Sequence, residues 1–349
     1  MKKLILLLGI ISLVGCKSTN VEPQDSKQIV TVKTFTGQQV TGISLSDTGR
    51  MFANFPRWRK GVENSVVEVS DQGVSNPYPN KSWNTWEIGK DIQDSSFVGV
   101  QSVIAFENDL YVLDTRNPQF KEVLDNPRIF VFDLKTDNLK RTYVLPKDSF
   151  HQNSYINDLR IDNKNHKAYL TDSGHAGLIM LDLNSGEAKR VLNDHPSTLA
   201  ETDHLMIDGK KWVNKVNSDG IALDTKNGIL YYHALSGYSL YSIKTDVLIN
   251  GSEKDMEENV KLVAKTSAPD GMILDKYGNL YLADLEDHSI MKFDIATKKM
   301  SVFAKAKKIR WADTFSIYNN YLYFTNSRIN EISGPITTME FDIDKISLD

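Results

Sequence analysis

A single cysteine, Cys16, is all the thiol chemistry this 349-residue chain carries. That excludes an internal disulfide framework and any zinc cluster built on cysteines. Positive charge is not in excess either. Lys and Arg number 41 against 45 Asp and Glu, a net charge of −4. Nothing there is suited to a phosphate backbone, so nucleic acid is not an expected partner. Long apolar runs are missing: Leu4 to Val14, eleven residues, is too short to span a bilayer as a helix. No long amphipathic helix stands out, and the best candidate is a short piece within Thr245 to Val260. GxSxG, HExxH, GxGxxG and P-loop motifs are absent, and the seven histidines show no zinc spacing.

What is present is ordinary for a globular protein: 40% hydrophobic and 25% charged residues. A disordered chain, a collagen and a multi-span membrane protein are thereby excluded. Roughly 150 residues per domain would suggest two domains, but large all-β domains run longer.

The N terminus reads as an address. Lys2 and Lys3 precede the apolar run, as in a secretory signal. The run ends Leu13-Val14-Gly15-Cys16, which looks like a bacterial lipobox and implies cleavage before Cys16 and lipid on its sulfur. The other reading is a plain cleaved signal with a chance cysteine, yet the only cysteine sits at the one position that needs it. Several acyl chains on one residue anchor stably where a single chain is marginal. The expectation is a signal peptide over 1–15, a lipidated Cys16 with a polar tether over 16–28, and export to the bacterial cell envelope with a membrane anchor at Cys16.

From Ile29 onward, β-branched and apolar runs alternate with Gly, Asn, Asp and Lys turns, the signature of short strands. The runs repeat. SDGIALDTKNGILYYHAL from Ser218 matches PDGMILDKYGNLYLADLE from Pro269, ADTFSIYNNYLYFTNS from Ala312 and INDLRIDNKNHKAYLTDS from Ile156. VQSVIAFENDLYVLDTR from Val100 and TGISLSDTGRMFANFP from Thr41 are weaker copies. Equivalent first positions are Thr41, Gln101, Asn157, Asp219, Asp270 and Asp313, spaced 60, 56, 62, 51 and 43 residues apart. Each interval accommodates four antiparallel strands. The expected fold is all-β, a six-bladed β-propeller over 29–349. The strand near Ile29 to Phe35 and the segment Ile336 to Ile343 would share one blade and close the ring, which removes an exposed edge.

The register of the copies places a site. A polar residue opens each first strand, and a second polar residue closes the next strand 13 to 15 residues later: Asn54, Asp114, Asp172, His233, Asp284 and Asn326. In an antiparallel hairpin those positions share one end of the sheet. Twelve positions would then face one mouth, six of them Asp and none Lys or Arg. Crowded carboxylates attract a cation or raise one another's pKa, and Ca²⁺ accepts all-oxygen ligands. Asp219, Asp270 and His233 are the candidates for chemistry. Thr41, Gln101, Asn157, Asp172, Asp284, Asp313 and Asn326 are candidates for ligand contact. The structural reading is that Asp and Asn at strand ends bond local backbone N–H groups. Arg57-Trp58-Arg59, Trp83 and Trp86 would either roof the mouth or pack within a blade.

Two resemblances sharpen this. Asn157-Asp158 through AYLTDSGHAGLIMLDLNSGEAKRVLNDHPS, and SDGIALDTKNGILYYHALSGYSLYSIKTDVL from Ser218, resemble the major royal jelly protein and yellow family across about Gln101 to Asn326. The resemblance implies a six-bladed propeller, secretion and a small-molecule pocket at the channel mouth. Some insect members bind biogenic amines, and others are tied to dopachrome conversion. The chain is more distantly similar to gluconolactonase and regucalcin propellers, which hold one divalent cation. That similarity implies metal ligands at Asn157, Asp219 and Asp270, but the Glu expected in the first copy is Thr41 here. Three functions follow as expectations: a binding or tautomerase-like protein of the yellow type, a metal-dependent lactonase with one cation such as Ca²⁺, or a non-catalytic envelope scaffold. The chain is expected to be a monomer.

Overall fold

Short β-branched runs cut by Asn, Asp and Gly turns become hairpins, and the hairpins become blades. Between Tyr318 and Tyr321, which pair directly, Asn319 and Asn320 both take left-handed backbone. That is the two-residue turn whose twist suits a hairpin. A computed structural model describes residues 27–349. The signal sequence, Cys16 and the tether up to residue 26 lie outside the described residues.

Six four-stranded antiparallel sheets form a propeller. Blade 1 runs from Gly42 to Pro77, blade 2 from Val100 to Val144 and blade 3 from Ile156 to Val191. Blade 4 spans Ser218 to Lys265 and blade 5 spans Met272 to Lys305. Blade 6 takes three strands from Ala312 to Ser347 and its outermost strand, Val30–Thr36, from the start of the chain. Val30 pairs with Lys345 and Phe35 with Phe341, so the chain ends close the ring as the sequence implies. The Thr245 to Val260 region forms two short helices, Thr245–Asn250 and Glu253–Asn259. No described helix is long and apolar enough to cross a membrane.

The core lies between blades. Phe52 and Val66 of blade 1 pack with Val103, Phe130 and Phe132 of blade 2. Tyr169 and Leu178 of blade 3 pack with Ile221 and Tyr232 of blade 4, and the pattern continues round to blades 6 and 1. Every blade buries apolar side chains on two faces, which is why inner strands such as Leu110–Leu113 and Leu280–Ala283 read as continuous hydrophobic runs. Beside the ring positions the backbones of neighbouring blades come close. One placed on Gly271 would meet the Asp313 carbonyl of the next blade at 2.7 Å.

One connection departs from the repeat. Between blades 3 and 4 the chain makes a small extra hairpin, Leu205–Ile207 with Lys210–Trp212. Leu205 and Ile207 pack into the core of blades 5 and 6.

Candidate functional site

Five of the six first-ring residues, Gln101, Asn157, Asp219, Asp270 and Asp313, line one cavity of about 580 Å³. The size lies within the range of about 300–1,000 Å³ usual for small-molecule pockets. The local backbone explains the convergence. Pairing between first and second strands slips at Val100/Ser102, Ile156/Leu159, Ser218/Ile221 and Ala312/Phe315. Such a bulge leaves one residue unpaired and re-aims its side chain, and each slip falls on a ring residue. In blade 5, Asp270 lies just ahead of the strand Met272–Leu274. Blade 1 pairs regularly from Gly42 to Leu45. Its Thr41 stays out of the cavity wall. The Thr41 hydroxyl accepts from the Asn54 amide at 3.2 Å, and its carbonyl accepts from the Thr325 hydroxyl at 2.5 Å.

The second ring does not reach this cavity, contrary to the placement expected from register. Asp114 accepts from the Val98 and Gly99 amides at 2.7 and 2.8 Å. Asp172 accepts from the Tyr155 amide at 2.9 Å and from Arg190 at 2.8 Å. Asn326 accepts from the Arg310 and Trp311 amides, each at 3.0 Å, and Asp284 accepts from the Asp287 amide at 3.2 Å. His233 is sealed inside blade 4, its ring nitrogens on the Ala234 carbonyl and the Thr266 hydroxyl. Burial pushes its pKa down to about 4. Strand-end Asp and Asn here organise turns and interblade joints.

The three first-ring carboxylates are 5, 8 and 7% exposed at Asp219, Asp270 and Asp313. Burial is the main reason each pKa rises. Asp270 is pushed up to about 7, with the Asp158 charge adding and the Trp311 indole N–H opposing. That N–H donates to Asp270 Oδ2 at 2.5 Å. Asp219 is raised well above the usual range by burial and then by Asp270 and Asp158, while the Asn157 amide opposes. Asp313 is raised by burial and then by Asp270, and its Oδ2 has no hydrogen-bond partner. Groups that raise one another's pKa share their protons, and the titration belongs to the set. Farther down the same strand as Asn157, Asp158 is paired with Arg160 at 2.9 Å, and Arg160 reaches the Met272 carbonyl at 2.9 Å.

Aromatic rings form the walls. Trp58, Phe120 and Tyr155 lie on one side, Trp212 and Trp311 on the other. Trp212 meets Trp311 edge-on at 4.9 Å. Trp58 Nε1 donates to the Tyr155 hydroxyl at 2.5 Å. That hydroxyl donates to Gln101 Oε1 at 2.7 Å, and Gln101 Nε2 donates to Asn157 Oδ1 at 2.7 Å. Arg59 and Lys215 also line the cavity, with Arg59 held by Gln39 at 2.6 Å. The Arg57-Trp58-Arg59 run thus divides. Trp58 and Arg59 face the cavity, and Arg57 is buried against the Asn84 and Phe97 carbonyls. Trp83 packs among Phe97, Phe130 and Phe132.

Tyr155, Trp311, Gln39, Phe120, Trp212 and Lys215 were not legible as site residues. A signal existed for three of them. Gln39, Tyr155 and Trp311 each stand two residues before a ring position, at Thr41, Asn157 and Asp313. A second depression of about 680 Å³ lies over blade 1, with Lys60, Lys81, Glu63 and Glu87 in its rim. It gathers none of the ring residues.

Asp270 Oδ2 is engaged by Trp311, and Thr41 stands where the gluconolactonase resemblance implies a Glu. Among the described residues, no three His, Cys, Asp or Glu side chains converge as a metal site.

The family profile described as major royal jelly protein matches residues 100–346. The chain belongs to the major royal jelly protein family. Among curated relatives of this royal jelly protein family member, a dopaminechrome tautomerase from Drosophila melanogaster is 25% identical over 243 residues, covering 64% of this chain and 51% of that one. Major royal jelly protein 3 of Apis mellifera is 24% identical over 286 residues, covering 70% of this chain and 52% of that one. The chain thus spans about half the length of the curated relatives it matches. Solved propellers share the fold at low identity. A luciferin-regenerating enzyme has TM-score 0.59 and 12% identity, covering 92% of this chain and 95% of that one. A gluconolactonase from Xanthomonas campestris has TM-score 0.57 and 11% identity, covering 93% and 90%.

Proposed function

We propose that the mouth cavity binds a small organic molecule carrying a ring and a protonated amine, and that its carboxylates move a proton on that molecule in a tautomerase-like isomerisation. One observation carries this reading: three buried carboxylates with raised pKa values lie beneath aromatic walls. A carboxyl group that titrates near neutrality is suited to take a proton from one atom and return it to another. Isomerisation of this kind moves a proton within the substrate and needs no oxidant or reductant. Asp270, titrating near 7, is suited to be the base. Asp270, once ionised, attracts the ammonium group, and the rings favour it further through cation–π contact. Arg59 and Lys215 at the cavity wall would face electron-rich oxygens at the other end of the ligand. Kinship with a dopaminechrome tautomerase supports this chemistry. The metal-dependent lactonase reading has less support, because Thr41 stands where that resemblance implies a Glu ligand.

The proposal includes an exported protein tethered through lipid on Cys16, supported by the lipobox-like Leu13-Val14-Gly15-Cys16. Titration calorimetry with dopamine, followed by assay of dopaminechrome conversion, tests the ligand reading. One equivalent of dopamine should bind. No binding and no conversion would overturn it.

A further inference from the structure

Phe120 is the odd member of the aromatic wall. It is 57% exposed, while Tyr155 beside it is buried. Its ring stacks on Trp58 at a centroid distance of 5.2 Å and an interplanar angle of 30°. Against Tyr155 the centroid distance is 4.7 Å at 34°. The backbone beneath it is strained. Gln119 and Phe120 are consecutive non-glycine residues in the left-handed region, at φ 62° and 54°. Each carries an energetic penalty there, and such residues cluster at active sites and ligand clamps.

The rings behind Phe120 do not depend on it. Trp58 is fixed by its N–H on the Tyr155 hydroxyl, and Tyr155 by its own O–H on Gln101. Gln101 in turn is tied to Asn157. If Phe120 swings out, the hydrogen-bonded frame remains, and the faces of Trp58 and Tyr155 are bared. What is left is a preformed slot for a flat ring, opening on the same cavity as Asp219, Asp270 and Asp313.

We propose that the Trp58–Tyr155 slot is the seat for the planar ring of the ligand, and that Phe120 is a placeholder displaced when the ligand enters. The ligand class is a single aromatic or quinonoid ring. Offset stacking on Trp58 and Tyr155 replaces the contacts Phe120 gives up. A bulky non-planar ring lacks the faces to compete. The slot deepens the ligand reading above, resting on the same cavity, but it makes a separate demand: removing Phe120 should help a flat ligand bind.

The test uses two planar probes and a saturated one. Phenol is uncharged and reports the slot alone. Dopamine reports the slot together with the carboxylates, and cyclohexanol is the non-planar control. Binding to the wild-type protein, Phe120→Ala and Trp58→Ala is followed by calorimetry, with melting curves to confirm folding. Phe120→Ala should bind phenol and dopamine at least threefold more tightly, with no gain for cyclohexanol. Trp58→Ala should lose phenol binding. Weaker or unchanged binding of phenol by a folded Phe120→Ala protein would overturn the proposal, because Phe120 would then be a fixed part of the wall. Phenol binding without dopamine binding would leave the slot standing and remove the amine reading.

Discussion

Asp313 shows most clearly how this site stores its chemistry. Its carboxyl is buried, one oxygen has no partner, and its pKa is raised by burial and by Asp270. The folded state therefore holds a proton that the unfolded chain releases above about pH 4. Folding stability from this group is complete below that value and falls as pH rises through the folded pKa. Asn has the same shape and no charge to bury. Asp313→Asn should melt with the wild type near pH 4 and roughly 2 °C or more above it near pH 8. A variant that melts lower near pH 8 would mean that the anion is well satisfied. The acidic ring was readable because equivalent residues recur in every copy. The fate of Asp172 or Asn326 was not, because their backbone donors at Tyr155 and Trp311 lie 17 and 15 residues away. His233 misled for the same reason: a strand-end position was visible, and its seat against Thr266 was not.

Among the elements, the hairpins follow from alternation and turn residues, while the bulges do not. Sequence spacing gives the ring positions but not the slips that turn Gln101, Asn157, Asp219 and Asp313 inward. The hairpin carrying Trp212 was also invisible, since its strands have only three residues each. The Asp-Gly pairs were visible as repeats, and the structure supplies their reason. Asp270 needs Gly271 behind it because the neighbouring blade's backbone fills the space of a Cβ. Gly271→Ala should destabilise the ring by about 1–3 kcal/mol, read as a lower denaturant midpoint with unchanged slope. A midpoint equal to wild type would show that blades 5 and 6 can move apart freely.

For the molecule as a whole, ring closure fixes a direction. Val30 pairs with Lys345, and the Leu348 amide donates to the Asn320 carbonyl in the turn joining the first two strands of blade 6. The chain thus enters the ring on the face opposite Asp313 and the cavity mouth. A tether from Cys16 would hold that face to the membrane and leave the mouth open to solution. Cys16→Ser should move the protein from the membrane fraction to the soluble fraction without changing its melting temperature; retention on the membrane would contradict the anchor. The central claim is that the carboxylate floor of the mouth cavity binds a cationic ring. Calorimetric titration of dopamine into the wild-type and Asp270→Asn proteins, near pH 6 and near pH 8, tests it most directly. The account predicts one site, tighter near pH 8 where Asp270 is ionised, and weakened by roughly tenfold or more in Asp270→Asn. Equal affinity for both proteins at both pH values would contradict it.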